Sequence, residues 1–378
     1  MKLSRLDAYL KKLTETVIPG VDCSVYYRHE PVYRGCYGYA DLAAKRPVTS
    51  ETMYYLFSAT KVITCTAALQ LHERGEFLMF QPVSDFIPEF RNMKVARRLL
   101  NGDVEIVPAA RPIRIQDLFT MTGGLSYDLQ SPSIRRMQRE TDGRCPTVET
   151  VKALADEPLL FEPGTHWNYS LCHDVLGALI EVISGKPFGV YLKENIFDPL
   201  GMKDTSFQLP EEKRHRMAAL YTLDSVSRTC LPKEQNDYIL GSAYESGGAG
   251  LISTVDDYMR FAETLCRFGT SEDGVRILSS SSVRLMRMNH LTPQTLPDFN
   301  WIHLAGYGYG LGVRTLLDPT RISTLAVDGE FGWSGAAGAY VIIDPENEVT
   351  IYYAQHVLGC QQEYIHPRIR NIVYAELL

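Results

Sequence analysis

Segments patterned as β-strands lie at both ends of this chain, and a long stretch of helices and loops separates them. From Val21 to Ala40 the apolar positions Val25, Tyr27, Val32, Tyr33 and Tyr37 are interrupted by Arg28-His29-Glu30-Pro31, which predicts two antiparallel strands and a turn. Strand patterns return at Gly306 to Arg314, Ala337 to Asp344 and Val349 to Ala354, the last two joined by Pro345-Glu346-Asn347-Glu348 as a tight turn. Helical patterns run at the N-terminus, Val62 to Arg74, Gln116 to Met121, Val151 to Asp156, Asp174 to Ser184 and about Thr254 to Phe268. A closing helix from Pro367 to Leu378 would take proline at its first position. The expected class is therefore α+β: one antiparallel sheet assembled from the two termini, flanked by helices, with a mostly helical subdomain inserted. Residues 1–80 and 241–378 form the sheet-bearing part and 81–240 the helical part. The cleft between them is the expected site.

Composition narrows the partners. With 378 residues, 45% of them hydrophobic, the chain can bury a large core, and a net charge of −7 offers no footprint for nucleic acid. Cys23, Cys36, Cys65, Cys145, Cys172, Cys230, Cys266 and Cys360 are scattered without a CxxC pair, so they read as reduced core thiols. The N-terminus opens an amphipathic helix rather than an uninterrupted apolar segment, and no run approaches transmembrane length. The expectation is a cytoplasmic protein without membrane contact. Twenty-two tyrosines suit packing and pocket lining.

The candidate chemistry begins at Ser58-Ala59-Thr60-Lys61, between the apolar run Met53 to Phe57 and the helical stretch Val62 to Arg74, which Gly75 closes. Serine and lysine three residues apart share one helical turn, so the amine can take the hydroxyl's proton. Serine is a poor nucleophile unless a base activates it, and a lysine kept neutral by burial or nearby cations can do so. The alternative is an ordinary N-cap serine with no chemistry.

Further segments follow in a definite order. They are Ile115-Gln116-Asp117-Leu118-Phe119-Thr120-Met121-Thr122-Gly123-Gly124-Leu125, Phe161-Glu162-Pro163-Gly164-Thr165-His166-Trp167-Asn168-Tyr169-Ser170, Pro199-Leu200-Gly201-Met202-Lys203-Asp204-Thr205 and Gly247-Gly248-Ala249-Gly250-Leu251-Ile252-Ser253-Thr254 with Asp257. Together with the Ser58 motif they resemble the serine β-lactamase and penicillin-binding protein superfamily, especially its class C, D-aminopeptidase and family VIII carboxylesterase branches. Met121 and Gly123 depart from that pattern. The resemblance implies a β-lactamase/DD-peptidase-like fold and a serine hydrolase that works through a covalent acyl-enzyme, with Ser58, Lys61 and Tyr169 catalytic.

Two departures bear on substrate. The superfamily's Tyr-x-Asn motif becomes Tyr169-Ser170-Leu171, and the loss of the asparagine amide weakens the case for β-lactam hydrolysis. Its Lys-Thr-Gly or His-x-Gly motif becomes Trp333-Ser334-Gly335, which removes a cation that would pair with a substrate carboxylate. Leu171, Trp333, Ser334 and Gly335 are thus candidate substrate contacts. As an edge strand beside the nucleophile, this last segment can offer the Ala336 N–H, which with that of Ser58 would form an oxyanion hole. A carboxylesterase or acyltransferase on small acyl esters is the expected function. A β-lactamase or D-peptidase and a non-catalytic ligand-binding relative are the alternatives. The substrate is a small-molecule ester, amide or lactam.

Other signals carry less. Gly332-Trp333-Ser334-Gly335-Ala336 lacks the last glycine of a nucleophile elbow, and a strand follows it where a helix is needed. The glycines from Gly306 to Gly312 miss the dinucleotide-binding spacing, and the nine histidines contain no HxxxH pair, so neither cofactor nor metal is expected. His166 and His173 flank Tyr169 and are read first as structural.

Overall fold

The computed structural model describes residues 3–224, 226–322, 324–360 and 362–378. In chain order the elements are α1 (Ser4–Thr14), β1 (Gly20–Tyr27), β2 (Glu30–Asp41), β3 (Arg46–Pro47), β4 (Met53–Tyr55) and α2 (Thr60–Glu73). Next come β5 (Lys94–Arg98), β6 (Val104–Pro108), α3 (Ile115–Phe119), α4 (Pro132–Glu140), α5 (Thr147–Leu154), α6 (Cys172–Ser184), α7 (Phe188–Leu192) and α8 (Asp198–Leu200). The remainder comprises β7 (Leu220–Leu223), β8 (Cys230–Lys233), β9 (Ile252–Thr254), α9 (Val255–Cys266), α10 (Ser280–Arg287), β10 (Tyr307–Tyr309), β11 (Arg314–Leu316), β12 (Phe331–Gly332), β13 (Tyr340–Asp344), β14 (Val349–Ala354), β15 (Val357–Leu358) and α11 (Gln362–Leu377).

One eight-stranded sheet runs in the order β10-β11-β12-β13-β14-β1-β2-β3. Its two halves meet where β1 pairs antiparallel with β14, Val25 opposite Ile351, which joins the chain's ends as the sequence pattern predicts. The helices cover both faces. Tyr352 stacks on Tyr258 of α9 at 4.2 Å, whereas its neighbour Tyr353 meets His366 of α11 edge-on. Adjacent strand residues point to opposite faces, so α9 and α11 lie on opposite sides of the sheet. Burial on both sides explains why β13 and β14 are buried throughout and mostly apolar rather than alternating. The termini are tied a second time: the Glu376 carboxylate accepts from the Arg5 and Leu6 N–H groups at the start of α1, a helix end that its own sequence leaves uncapped.

Two expectations need correction. Pro367 is not the first residue of the last helix but lies more than a turn inside it, because the helix already starts at Gln362 and buries Ile365 and His366 ahead of the proline. The Arg368 guanidinium donates to the Tyr364 carbonyl at 2.8 Å and partners a first-turn group there. Within residues 81–240, the helices α3 to α8 are joined by two hairpins, β5–β6 and β7–β8. Basic residues conceal the first hairpin in Lys94-Val95-Ala96-Arg97-Arg98. The second pairs in parallel with β15 near the C-terminus, so its partner is remote in sequence. All eight cysteines are free. Among the described residues no single helix is long and apolar enough to cross a membrane.

A buried ion pair braces the far end of the sheet. Arg314 donates to Glu330 at 2.9 Å and to the Val341 carbonyl at 3.0 Å, Tyr307 donates to the same carboxylate at 2.6 Å, and Glu330 has no exposed surface. Removing one charge of such a pair strands the other in a low-dielectric interior. Glu330→Gln should therefore lower the unfolding free energy by about 3–5 kcal/mol, as read from urea melts.

Candidate active site

Backbone conformation presents Ser58. β4 pairs with β9, and Leu56 N–H donates to the Leu251 carbonyl at 2.8 Å. Phe57 then adopts a left-handed φ of 47°, an unfavourable state for a bulky residue, and turns the chain through the short 3₁₀ segment Phe57–Ala59 into α2. The turn is fastened by Tyr258, whose hydroxyl donates to the Ala59 carbonyl at 2.9 Å. Ser58 is left half-buried at the mouth of a helix whose residues from Thr60 to Leu71 are all buried.

Lys61, without exposed surface, stands one turn on. Its Nζ donates to Ser58 Oγ at 3.3 Å, to the Tyr127 hydroxyl at 3.2 Å and to the Gly248 carbonyl at 2.7 Å. The sequence led us to expect a lysine neutralised by burial or cations. Instead three acceptors surround it, enough to take every N–H of an ammonium.

Tyr169 joins the cluster differently than expected. Its ring lies beneath Lys61, with Nζ 4.6 Å from the centroid, but its hydroxyl accepts from Trp333 Nε1 at 3.1 Å. The phenol in hydrogen bond with Lys61 belongs to Tyr127, which sequence reasoning missed. Tyr127 stacks on Tyr169 at 5.5 Å, and Tyr169 stacks in turn on Trp333 at 5.7 Å. Their two loops are zipped together by bonds from Asn168 N–H to the Met121 carbonyl and from Leu171 N–H to the Ser126 carbonyl. A usable signal was present: Ser126-Tyr127 directly follows the Gly123-Gly124-Leu125 segment. Met121, one of the departures there, takes a φ of 58° at the bend.

The other candidates fall as follows. Trp333, Ser334 and Gly335 lie beside Ser58, not as an edge strand but in the hairpin between β12 and β13, closed by Gly335 N–H to the Ala339 carbonyl at 2.7 Å. The glycine is required because a side-chain carbon at 335 would collide with the Leu56 carbonyl, two residues before Ser58. Ala336 packs against Phe57, and among the described residues its N–H has no protein acceptor. Leu171 is buried in the core and caps the start of α6, so its backbone rather than its side chain links it to the site. His166 is paired with Asp298 at 3.0 Å. His173 is buried against the Phe119 carbonyl; burial first, and the Lys61 charge second, pull its ring down to about 3.

Aromatic walls complete the cleft. Tyr238 meets both Phe57 and Tyr127 edge-on, and Trp301 meets Tyr169 in the same way. A separate cavity of about 740 Å³, lined in part by Tyr33, Arg34 and Asp256, shares no residue with this cluster, and its Arg34 is already paired with Asp22 and Asp256. His29, Glu263 and Cys266 come within 4.8 Å of one another, but Glu263 is engaged by His29, Thr350 and Arg267, a hydrogen-bonded knot with a resident cation rather than an open metal cradle.

A sheet built from both chain ends, with a serine and a buried lysine on the helix beside it, defines the class: this is a serine hydrolase with the β-lactamase/penicillin-binding protein fold. Residues 6–364 match the family model described as Beta-lactamase, and the chain belongs to that family. It is 32% identical to Protein Rv1367c of Mycobacterium tuberculosis, over 94% of this chain and 90% of that one. It is 30% identical to Esterase EstB of Burkholderia gladioli, over 90% and 87%. Among solved structures it superposes on EstCE1, "a hydrolase with promiscuous acyltransferase activity", with a TM-score of 0.80 at 26% identity, covering 98% of each chain.

Proposed function

We propose that the protein is a carboxylesterase, with acyl transfer to other acceptors as a side capacity, acting on small neutral acyl esters through an acyl-enzyme on Ser58. The observation that carries this reading is the contact of Ser58 Oγ with the buried Lys61 in a cleft whose third-motif position holds the indole of Trp333 instead of a cation. Similarity to an esterase and to a hydrolase with acyltransferase activity supports it.

In this mechanism Ser58 attacks the ester carbonyl, its proton passes to the Tyr169 oxygen acting as base beside the Lys61 ammonium, and the tetrahedral oxygen is met by the N–H groups of Ser58 and Ala336. The proton returns to the leaving alkoxide, and water or another alcohol releases the acyl group. Ser334 and Gly335 border the substrate, and at the motif's third position the apolar Leu171 is buried in the core and offers no amide. Hydrolysis of p-nitrophenyl acetate and butyrate, with a mass shift on Ser58, is the expected result. Turnover of nitrocefin in preference to both esters would overturn the substrate assignment.

The two phenols take separate roles. Burial, with the charges of Tyr169 and Asp174 adding, pushes the Tyr127 phenol well above its ordinary range, so Tyr127 serves as a neutral hydrogen-bond partner for Lys61. Negative charge developing on the Tyr169 oxygen is met by the Trp333 N–H. Tyr169→Phe should therefore reduce kcat by about 10²–10⁴-fold, the range for a lost acid–base group. Tyr127→Phe should cost only about tenfold, one hydrogen bond to a charged group. The reverse ranking in steady-state kinetics would exchange the roles. Trp333→Phe keeps a stacked ring but deletes the donor to Tyr169, and kcat should fall by about tenfold.

A further inference from the structure

We infer that Asp174 is a positioning residue that acts as counter-charge to Lys61 across the Gly248 peptide, holding the lysine as an ammonium aimed at Ser58. The inference rests on the reading of Lys61 given above.

Asp174 occupies the first turn of α6 and is 1% exposed. Its Oδ1 accepts from Tyr244 at 2.9 Å and from Ser246 at 2.6 Å. Its Oδ2, equally buried, makes no full hydrogen bond among the described residues, and the backbone donor that acts on the carboxylate is the Gly248 N–H. That oxygen faces Gly248: a side-chain carbon there would lie 2.5 Å from Asp174 Oδ2 and 3.3 Å from Lys61 Nζ. The peptide that accepts from Lys61 is thus the wall shared by lysine and aspartate. Gly247 is equally confined, since a side-chain carbon would strike the His173 carbonyl while its own carbonyl accepts from Thr64 at 2.7 Å. The two glycines let the backbone enter a slot too narrow for any side chain.

An isolated buried carboxylate is costly, and a nearby opposite charge offsets that cost. Burial does raise the Asp174 carboxyl, and the Ser246 hydroxyl, the Lys61 charge, the Tyr244 hydroxyl and the Gly248 N–H act against it. The other titratable groups around the pair supply no competing cation: Tyr127 and Tyr169 lie against Lys61, Tyr244 against Asp174, and His173 beside Cys65 is held neutral. With the charge fixed by Asp174 and one N–H anchored on Gly248, the remaining N–H groups point to Ser58 and Tyr127. Lys61 is then set to hold the Ser58 oxygen in place and to offset negative charge in the cluster without wandering.

Asp174→Asn preserves shape and leaves an oxygen for both hydroxyl donors while removing the charge. With p-nitrophenyl acetate, kcat should fall at least tenfold with KM within about threefold. A limb of the pH–rate profile should move to lower pH by about one unit, because a cluster that loses a buried negative charge releases its proton more readily. An unchanged kcat and an unmoved limb would overturn the inference. Lys61→Met in the same assay separates this from the parent reading: an active Lys61→Met enzyme defeats the role of Lys61 itself, whereas an inactive one beside an unaltered Asp174→Asn enzyme defeats only Asp174. Should Asp174→Asn fail to fold, Ser246→Ala removes the hydroxyl that does most to keep the buried carboxyl ionised and so weakens the counter-charge. The limb should then also move to lower pH, and a stationary limb is again decisive against the inference.

Discussion

Ser58→Ala is expected to bring hydrolysis of p-nitrophenyl acetate down by at least about 10³-fold, to a residue supplied by the cleft and its oxyanion donors alone. The substitution removes one oxygen whose protein partner is Lys61 Nζ at 3.3 Å, and Ser58 is only half-buried, so the fold should be unaffected. KM should change little, because the hydroxyl contributes to bond formation and not to ground-state recognition. The acyl-enzyme mass shift should vanish together with activity. If the variant kept even a tenth of the parent rate, a water activated directly by the lysine–tyrosine cluster would have to replace the covalent intermediate, and the carboxylesterase reading would need a different mechanism.

Lys61→Met should be as damaging to activity and, unlike Ser58→Ala, should also weaken the protein. Methionine roughly matches the lysine stem in length but offers no donor, so the Gly248 carbonyl, the Tyr127 oxygen and Ser58 Oγ each lose a partner. The Asp174 carboxylate would be left buried without the nearest positive charge. Breaking a buried charge arrangement by deleting one side costs about 3–5 kcal/mol, which thermal or urea melts can resolve. The double variant Ser58→Ala/Lys61→Met should be no less active than Ser58→Ala alone, because groups that act as a unit lose their function together. A double variant slower by the product of the two single effects would show that serine and lysine act independently.

The legibility of the chain follows interaction range. Ser58 and Lys61 were readable because three residues along one helical turn fix their proximity whatever surrounds them, and the 3.3 Å contact bears out that geometry. The hairpin β13–β14 was equally local: apolar runs on either side of a turn pair with each other, as Ile342 does with Ile351. The last helix was harder, because Pro367 signals a helix start and the residues before it carry no apolar period, yet packing of Ile365 and His366 into the core extends the helix past it. The β7–β8 hairpin stayed hidden because its parallel partner β15 is far along the chain.

The sequence by itself determined that one sheet would join both termini, that a serine and a lysine would share the turn where a strand becomes a helix, and that the third motif would carry an indole instead of a cation. Only the tertiary structure decided which phenol reaches Lys61, that Tyr169 turns its hydroxyl to Trp333, and that Gly248 slips between Lys61 and Asp174. The physical reason is that sequence periodicity encodes the local geometry of each segment, whereas the partner of a buried polar atom is chosen by loops that meet only when α2, α6 and the 244–249 loop pack together.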